Sequence, residues 1–189
     1  MKKQSTIICP VCGGKTGKNS LNKVKSLFPF DGAIMIEEGD FLSSFMRVIA
    51  KHSGFYQWAC DDCIRVGVAL LANPKEQHYK ESWWDVKPFL AYYDKTFSCK
   101  DCGEDFLFSK EDQQYGYEKL KFEIFSRPVR CPECSKKVKA ERQLNTELSE
   151  LLKQGQPKDK ASLLRIADIY EQMGITEKAT YYQRAAQKK

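Results

Sequence analysis

Apolar positions in this chain fall into short, separated runs. Phe41, Leu42, Phe45, Met46, Val48 and Ile49 recur at helical spacing, with Asp40 placed to cap the run and Gly54 to end it. Phe55, Tyr56 and Trp58 read as a strand leading into Cys60. Ile64 to Ala72 is mostly apolar and predicted helical, stopped by Asn73-Pro74, although Gly67 and the β-branched residues also permit a strand. Phe97-Ser98 and Phe106-Leu107-Phe108 flank a turn closed by Gly103 and predict two strands. Ser109-x-x-Asp112 resembles a capping box and starts a short helix toward Tyr117. Ser135 to Gln154 carries Leu144, Leu148, Leu151 and Leu152 on one face and ends at Gly155. After the linker Gln156-Pro157-Lys158-Asp159, the residues Leu163, Ile166, Ala167, Tyr170, Gly174, Ala179 and Ala186 predict a helical hairpin.

These runs divide the chain into three expected segments: residues 1–87 with a helical insert, a compact unit over 88–140, and a helical segment over 141–189. The predicted fold class is α+β, built from small metal-stapled modules, with two four-cysteine zinc-ribbon or knuckle units and a C-terminal α-helical hairpin. Modules of this size bury too little surface to stand unaided, and metal staples supply the deficit. The longest uninterrupted apolar run, Val68–Ala72, is far short of a membrane span, so no membrane role is expected.

The staples are visible as cysteines. All eight fall into four Cys-x-x-Cys pairs: Cys9/Cys12, Cys60/Cys63, Cys99/Cys102 and Cys131/Cys134. Two intervening residues let both thiolates face one tetrahedral site, and two pairs complete the four ligands of structural zinc. Two zinc ions per chain are therefore expected. A disulfide framework would require export, and Lys2, Lys3, Ile7 and Ile8 offer no signal-peptide core. A redox-active dithiol explains one pair well and four pairs poorly. A reducing, cytoplasmic setting follows as the expectation.

Phe97, Cys99, Cys102-Gly103, Phe106 to Phe108, Tyr115, Pro128, Arg130, Cys131 and Cys134 resemble the bacterial "probable zinc-ribbon domain" family. Glu111-Asp112-Gln113-Gln114-Tyr115 is an approximate match to the family's central stretch, and Tyr117–Ser126 is longer and more charged than the family commonly has. The resemblance spans about a quarter of the chain. It implies a structural zinc and a ribbon fold, implies no activity, and favours sequential pairing of the cysteines; a cross-braced arrangement stays open. The C-terminal spacings resemble a single tetratricopeptide repeat, with Gln183 where that family usually has an aromatic.

Charge is unevenly placed. Of the net +6, all belongs to residues 1–30, which hold Lys2, Lys3, Lys15, Lys18, Lys23 and Lys25 and no acid. Lysine concentrated beside a knuckle can meet phosphates, and Lys15, Lys18, Lys23 and Lys25 are the nucleic-acid-binding candidates; a merely solvated face is the plainer alternative. Gly13-Gly14-Lys15-Thr16-Gly17-Lys18 fails as a phosphate loop, because Cys9 stands where the pattern needs its first glycine. Of the two histidines, His52 lies near a predicted helix end and His78 in a polar stretch. Trp83, Trp84, Phe89, Tyr92 and Tyr93 form an aromatic band expected to pack between modules.

Four thiolates per metal leave no open position for water or substrate, and no catalytic motif or small-molecule site is evident. The expectation is a non-enzymatic, zinc-binding interaction module. It acts as an adaptor on RNA, on a ribosome, or on a protein complex. The alternatives are protein–protein interaction through the C-terminal helices and a redox-responsive, chaperone-like role.

Overall fold

The computed structural model describes residues 7–27, 57–78, 88–153 and 159–189. The chain divides into two compact units. The first comprises Met1–Ser98 with Asp105–Val129, and the second Cys99–Glu104 with Arg130–Lys189. The expected helix at Asp40–Gly54, the strand residues Phe55 and Tyr56, His52, Trp83 and Trp84 lie outside the described residues.

In the first unit, strands β1 (Ile7–Ile8) and β2 (Lys15–Thr16) pair antiparallel, Ile8 opposite Lys15. A 3-10 turn at Lys18–Ser20 leads into the short helix α1 (Asn22–Lys25). Helix α2 (Asp61–Arg65) is followed by β3 (Ala69–Leu71), which pairs antiparallel with β4 (Ala91–Tyr93). The hairpin stem β5 (Lys95–Ser98) and β6 (Asp105–Phe108) comes next, then helix α3 (Lys110–Gln114) and a π-helical turn at Tyr115–Lys119.

The helix expected over Ile64–Ala72 is corrected. Only Ile64 and Arg65 belong to a helix, as the last residues of α2; Gly67 takes φ +78° just beyond its end, and Ala69–Leu71 then finds ladder partners on β4. A glycine in the left-handed region closes a helix readily, and the apolar residues beyond it gain more by pairing than by extending it. Gln57 to Cys60 form no named strand, although the Gln57 carbonyl accepts the N–H groups of Leu90 and Ala91 at 2.8 and 3.2 Å. Ser109 does cap α3: its Oγ accepts the Asp112 N–H at 3.0 Å. The reciprocal half differs from a capping box, since the Asp112 carboxylate takes the Ser109 hydroxyl at 2.7 Å.

Among the described residues, two apolar clusters hold this unit. One gathers Leu21, Val24, Trp58, Ala59, Ala69, Leu90 and Ala91 around Cys9, Cys60 and Cys63. The other stacks Tyr92 on Tyr117, with centroids 6.1 Å apart, and sets Phe89 edge-on to both. Phe89 and Tyr92 of the expected aromatic band therefore pack into a core, and Tyr92 is fully buried.

The second unit is dominated by helices α4 (Pro132–Lys153), α5 (Lys160–Gln172) and α6 (Thr176–Gln187). Asp159 caps α5 by accepting the Ser162 N–H at 2.7 Å. Gly174, at φ +73°, turns the chain between α5 and α6. Leu148 from α4 joins Ile166, Ile169 and Tyr170 of α5 and Ala179 of α6 in one core, with Tyr170 stacked on Tyr182. Arg165 spans to α4 with a two-pronged contact to Glu147 at 2.6 and 2.7 Å.

Candidate metal centres

Each centre begins with a knuckle whose turn follows from Cys-x-x-Cys-Gly. In the first, the Gly13 N–H reaches the Cys9 carbonyl at 2.9 Å and the Cys9 N–H reaches the Gly14 carbonyl at 3.0 Å. In the second, the Gly103 N–H reaches the Cys99 carbonyl and the Cys99 N–H the Glu104 carbonyl, both at 2.8 Å. Gly13 and Gly103 sit at φ +69° and +76°, a region where a Cβ is strained. A short hairpin stem flanks each turn: β1/β2 for the first, β5/β6 for the second.

The other pair of each centre opens a helix. Cys60 is the N-cap of α2 and its carbonyl accepts the Ile64 N–H; Cys131 precedes Pro132, the first residue of α4, and its carbonyl accepts the Ser135 N–H. Proline suits that first helical position because its missing N–H would have no partner there. The ribbon expected from the resemblance is thereby sharpened. Cys131/Cys134 lie on a helix start and not on a second hairpin, and α4 begins at the metal site itself instead of at Ser135.

The structure brings Cys9, Cys12, Cys60 and Cys63 together, and likewise Cys99, Cys102, Cys131 and Cys134, with the four sulfurs of each group within 4.8 Å of one another. Cys9 and Cys63 Sγ are 4.0 Å apart; Cys12 and Cys60, and Cys102 and Cys131, are 3.9 Å apart. Zinc–sulfur bonds of about 2.3 Å in a tetrahedron require sulfurs roughly 3.8 Å apart. The donor set and its spacing fit zinc in both places, with the pairs combined in sequence order.

Electrostatics repeat as well. Burial pushes the Cys9 thiol up, but the N–H groups of Cys12, Cys60 and Val11 outweigh it and hold it below the ordinary thiol range. In the second centre the Cys131 N–H, helped by those of Cys102 and Asp101 against burial, lowers Cys99 to about 6. The donors occupy equivalent positions in the two centres. Conversely, burial and the neighbouring sulfurs raise Cys63, and the hydrogen bond with Cys131, together with burial, raises Cys134 to about 12. Backbone donors thus settle the charge of one thiolate per site, while four together require a cation. Cys12 and Cys102 are the exposed members of their sites.

The candidate lysines surround the first centre. Lys15 lies on β2, Lys18 in the 3-10 turn, and Lys23 and Lys25 on α1; the side chains of Lys15, Lys23 and Lys25 are exposed. Asp61, next to Cys60, accepts the N–H groups of Asn22 and Lys23 at 2.8 and 2.9 Å, which ties the lysine-bearing helix to the metal-bearing one. Sequence reasoning missed this contact, because nothing local to Asp61 signals partners 39 and 38 residues away. His78 belongs to neither cysteine group and faces Glu123 at 3.3 Å.

A hairpin knuckle followed by a helix that carries the second ligand pair defines a treble-clef-like zinc-binding unit. The model of the family described as "Probable treble clef domain" matches residues 93–143. Residues 93–143 are thus similar to a treble-clef zinc-binding domain, and the first centre repeats the same parts with a longer intervening segment. The glycine after Cys12 and after Cys102 is the sequence signal of that repetition. No curated protein and no solved structure matches the chain. Among the described residues, no helix is long and apolar enough to cross a membrane.

Proposed function

We propose that this chain is a non-catalytic zinc-binding adaptor that docks on RNA in the cytoplasm, with lysines around its first zinc centre meeting the phosphates. The observation that carries this reading is the placement of all excess positive charge in residues 1–30, with Lys15, Lys23 and Lys25 exposed on the elements that frame that centre. Rigid presentation supports it. The Asp61 carboxylate anchors α1, so the backbone that carries its lysines is already ordered on the metal-bearing scaffold before binding. Each zinc is structural in this reading, since four thiolates saturate it.

The test is retention of RNA by zinc-loaded protein as a function of salt. Replacing Lys15, Lys18, Lys23 and Lys25 by Glu abolishes retention at low salt while zinc content stays at two per chain; unchanged retention sinks the reading.

A second reading, a protein-interaction role for the C-terminal helices, is favoured by Leu164, Ile175 and Tyr181, apolar side chains exposed on or between α5 and α6. It accords with the tetratricopeptide-like spacing. Deleting residues 156–189 then removes partners from a pull-down whether or not nuclease is present.

A further inference from the structure

We propose that the loop over residues 115–126 is a second contact surface for the nucleic acid, a platform on which unpaired bases of single-stranded RNA stack; the inference rests on the RNA reading above and deepens it. Within this loop, Tyr117–Ser126 is the stretch that departs from the resembling family by its length. The loop exposes Tyr115 by 59%, Leu120 by 49%, Phe122 by 49% and Phe125 by 57%, a concentration of large apolar side chains within one short stretch.

The loop is held rigid in an unusual backbone. Tyr115–Lys119 forms a π-helical turn, and Lys121 adopts φ +56°, which a non-glycine residue seldom takes. Hydrogen bonds pin that geometry from several sides. The Leu120 N–H bonds to the Tyr115 carbonyl and the Phe122 N–H to the Gly116 carbonyl, both at 3.0 Å. The Tyr117 hydroxyl donates to the Ser126 carbonyl at 2.5 Å, and Lys121 Nζ to the Glu76 carbonyl at 2.6 Å. The Phe122 ring lies against Gly116 so closely that a Cβ there would stand 3.1 Å from its edge. One side of that ring is fixed by backbone while nearly half of the residue faces solvent. A flexible apolar loop would collapse or pay entropy on binding; a pinned one presents rings already in place.

Charge decides the occupant. Residues 115–129 hold Lys119, Lys121 and Arg127 against Glu118 and Glu123. Glu118 is buried, where it accepts the Asn73 N–H, and Glu123 faces His78. Lys121 is paired with Glu76, which leaves Lys119 exposed and Arg127 exposed with its guanidinium over the Phe97 ring at 5.6 Å. Rings interleaved with cations match the two faces of a single strand, bases and phosphates, better than an apolar protein segment, which would have to cover those cations.

The experiment measures binding of full-length, zinc-loaded protein to a labelled single-stranded RNA of about 12 nucleotides and to its duplex, across salt concentrations. Phe122→Leu and the pair Phe122→Ala with Phe125→Ala are compared with Lys15→Glu/Lys23→Glu. Phe122→Leu keeps apolar packing on Gly116 and removes only the ring, so it guards against loss of fold. The expected result is about a tenfold loss of single-strand affinity in the aromatic variants, with duplex affinity and salt slope unchanged. Unchanged single-strand affinity in those variants, while the lysine variant weakens, overturns the platform and leaves the RNA reading standing. Equal losses on strand and duplex also overturn it, as does loss of a protein partner from Phe122→Leu with RNA affinity intact. Failure of the wild-type protein to bind either RNA overturns both.

Discussion

Gln57 and Gln113 face each other across the first unit, 56 residues apart in sequence, and the Gln57 amide donates to Gln113 Oε1 at 2.9 Å. Gln57 also donates to the Ala91 carbonyl at 2.9 Å and accepts from Lys95 Nζ. Gln113 donates to the Tyr93 carbonyl at 2.7 Å and the Phe108 carbonyl at 2.9 Å. Every N–H of the two buried side-chain amides is thereby used, and they join the segment entering Cys60 to β4, to the end of β6 and to α3. Lys95, whose pKa burial lowers, is held by Gln57 and by the rings of Phe89 and Tyr93.

Replacing Gln113 by Leu strands three groups at once: the Gln57 amide and the carbonyls of Tyr93 and Phe108. An unsatisfied buried group costs about 1–3 kcal/mol, and relaxation recovers part of it, so the expected loss is about 3 kcal/mol. A lowered urea midpoint with two zincs still bound checks it. An unchanged midpoint would mean that water replaces the amide.

Metal content and its pH dependence follow from the thiols. Freshly purified, reduced protein is expected to carry two zincs, and Cys131→Ser one. Cys63 and Cys134 stand above the ordinary thiol range in the metal-free site, so zinc must displace their protons. Affinity therefore rises with pH and falls on acidification, most steeply below neutrality, where Cys99 at about 6 also takes its proton. A zinc indicator titrated from alkaline to acid pH should report release from both sites; release independent of pH would contradict thiolate ligation.

Asp61 joins α1 to α2 through two backbone N–H groups. Asp61→Ala removes a cap-like contact with an expected cost of about 1 kcal/mol. Because α2 carries Cys63 in its first turn, the variant should also lose zinc to a chelator faster at the first site than at the second. Equal rates at both sites would show that the contact does not support the metal.

The hairpin of α5 and α6 offers two independent checks. Nothing lies within 4 Å of a Cβ placed on Gly174, so Gly174→Ala costs only the left-handed backbone, about 1 kcal/mol. At Asp159 the Ser162 N–H holds the carboxyl below its usual range. A depressed folded value means a contribution present above the ordinary aspartate pKa of about 3.9 and lost as pH falls through the folded value. Helix content of the wild-type protein should accordingly drop in that acid window, and Asp159→Ala should lack this component of the drop.

Much of this molecule is written in local chemistry. The four Cys-x-x-Cys pairs, the glycines after Cys12 and Cys102, the strands around the second knuckle and the cap at Ser109 depend on neighbours a few residues away, and all were legible. So was the C-terminal helical hairpin, through its apolar spacing and Gly174. The helix start at Cys131 was obscured by proline, which marks a knuckle and a first helical turn equally well. The fate of Ile64–Ala72 could not be read either, because an apolar run chooses strand over helix only when a partner such as β4 is at hand. Only the tertiary structure decided that the cysteine pairs combine in sequence order, that Asp61 anchors a lysine helix 39 residues away, and that Gln57 meets Gln113. Those are long-range contacts, set by which surfaces the folded chain brings within bonding distance, and no periodicity along the sequence encodes them.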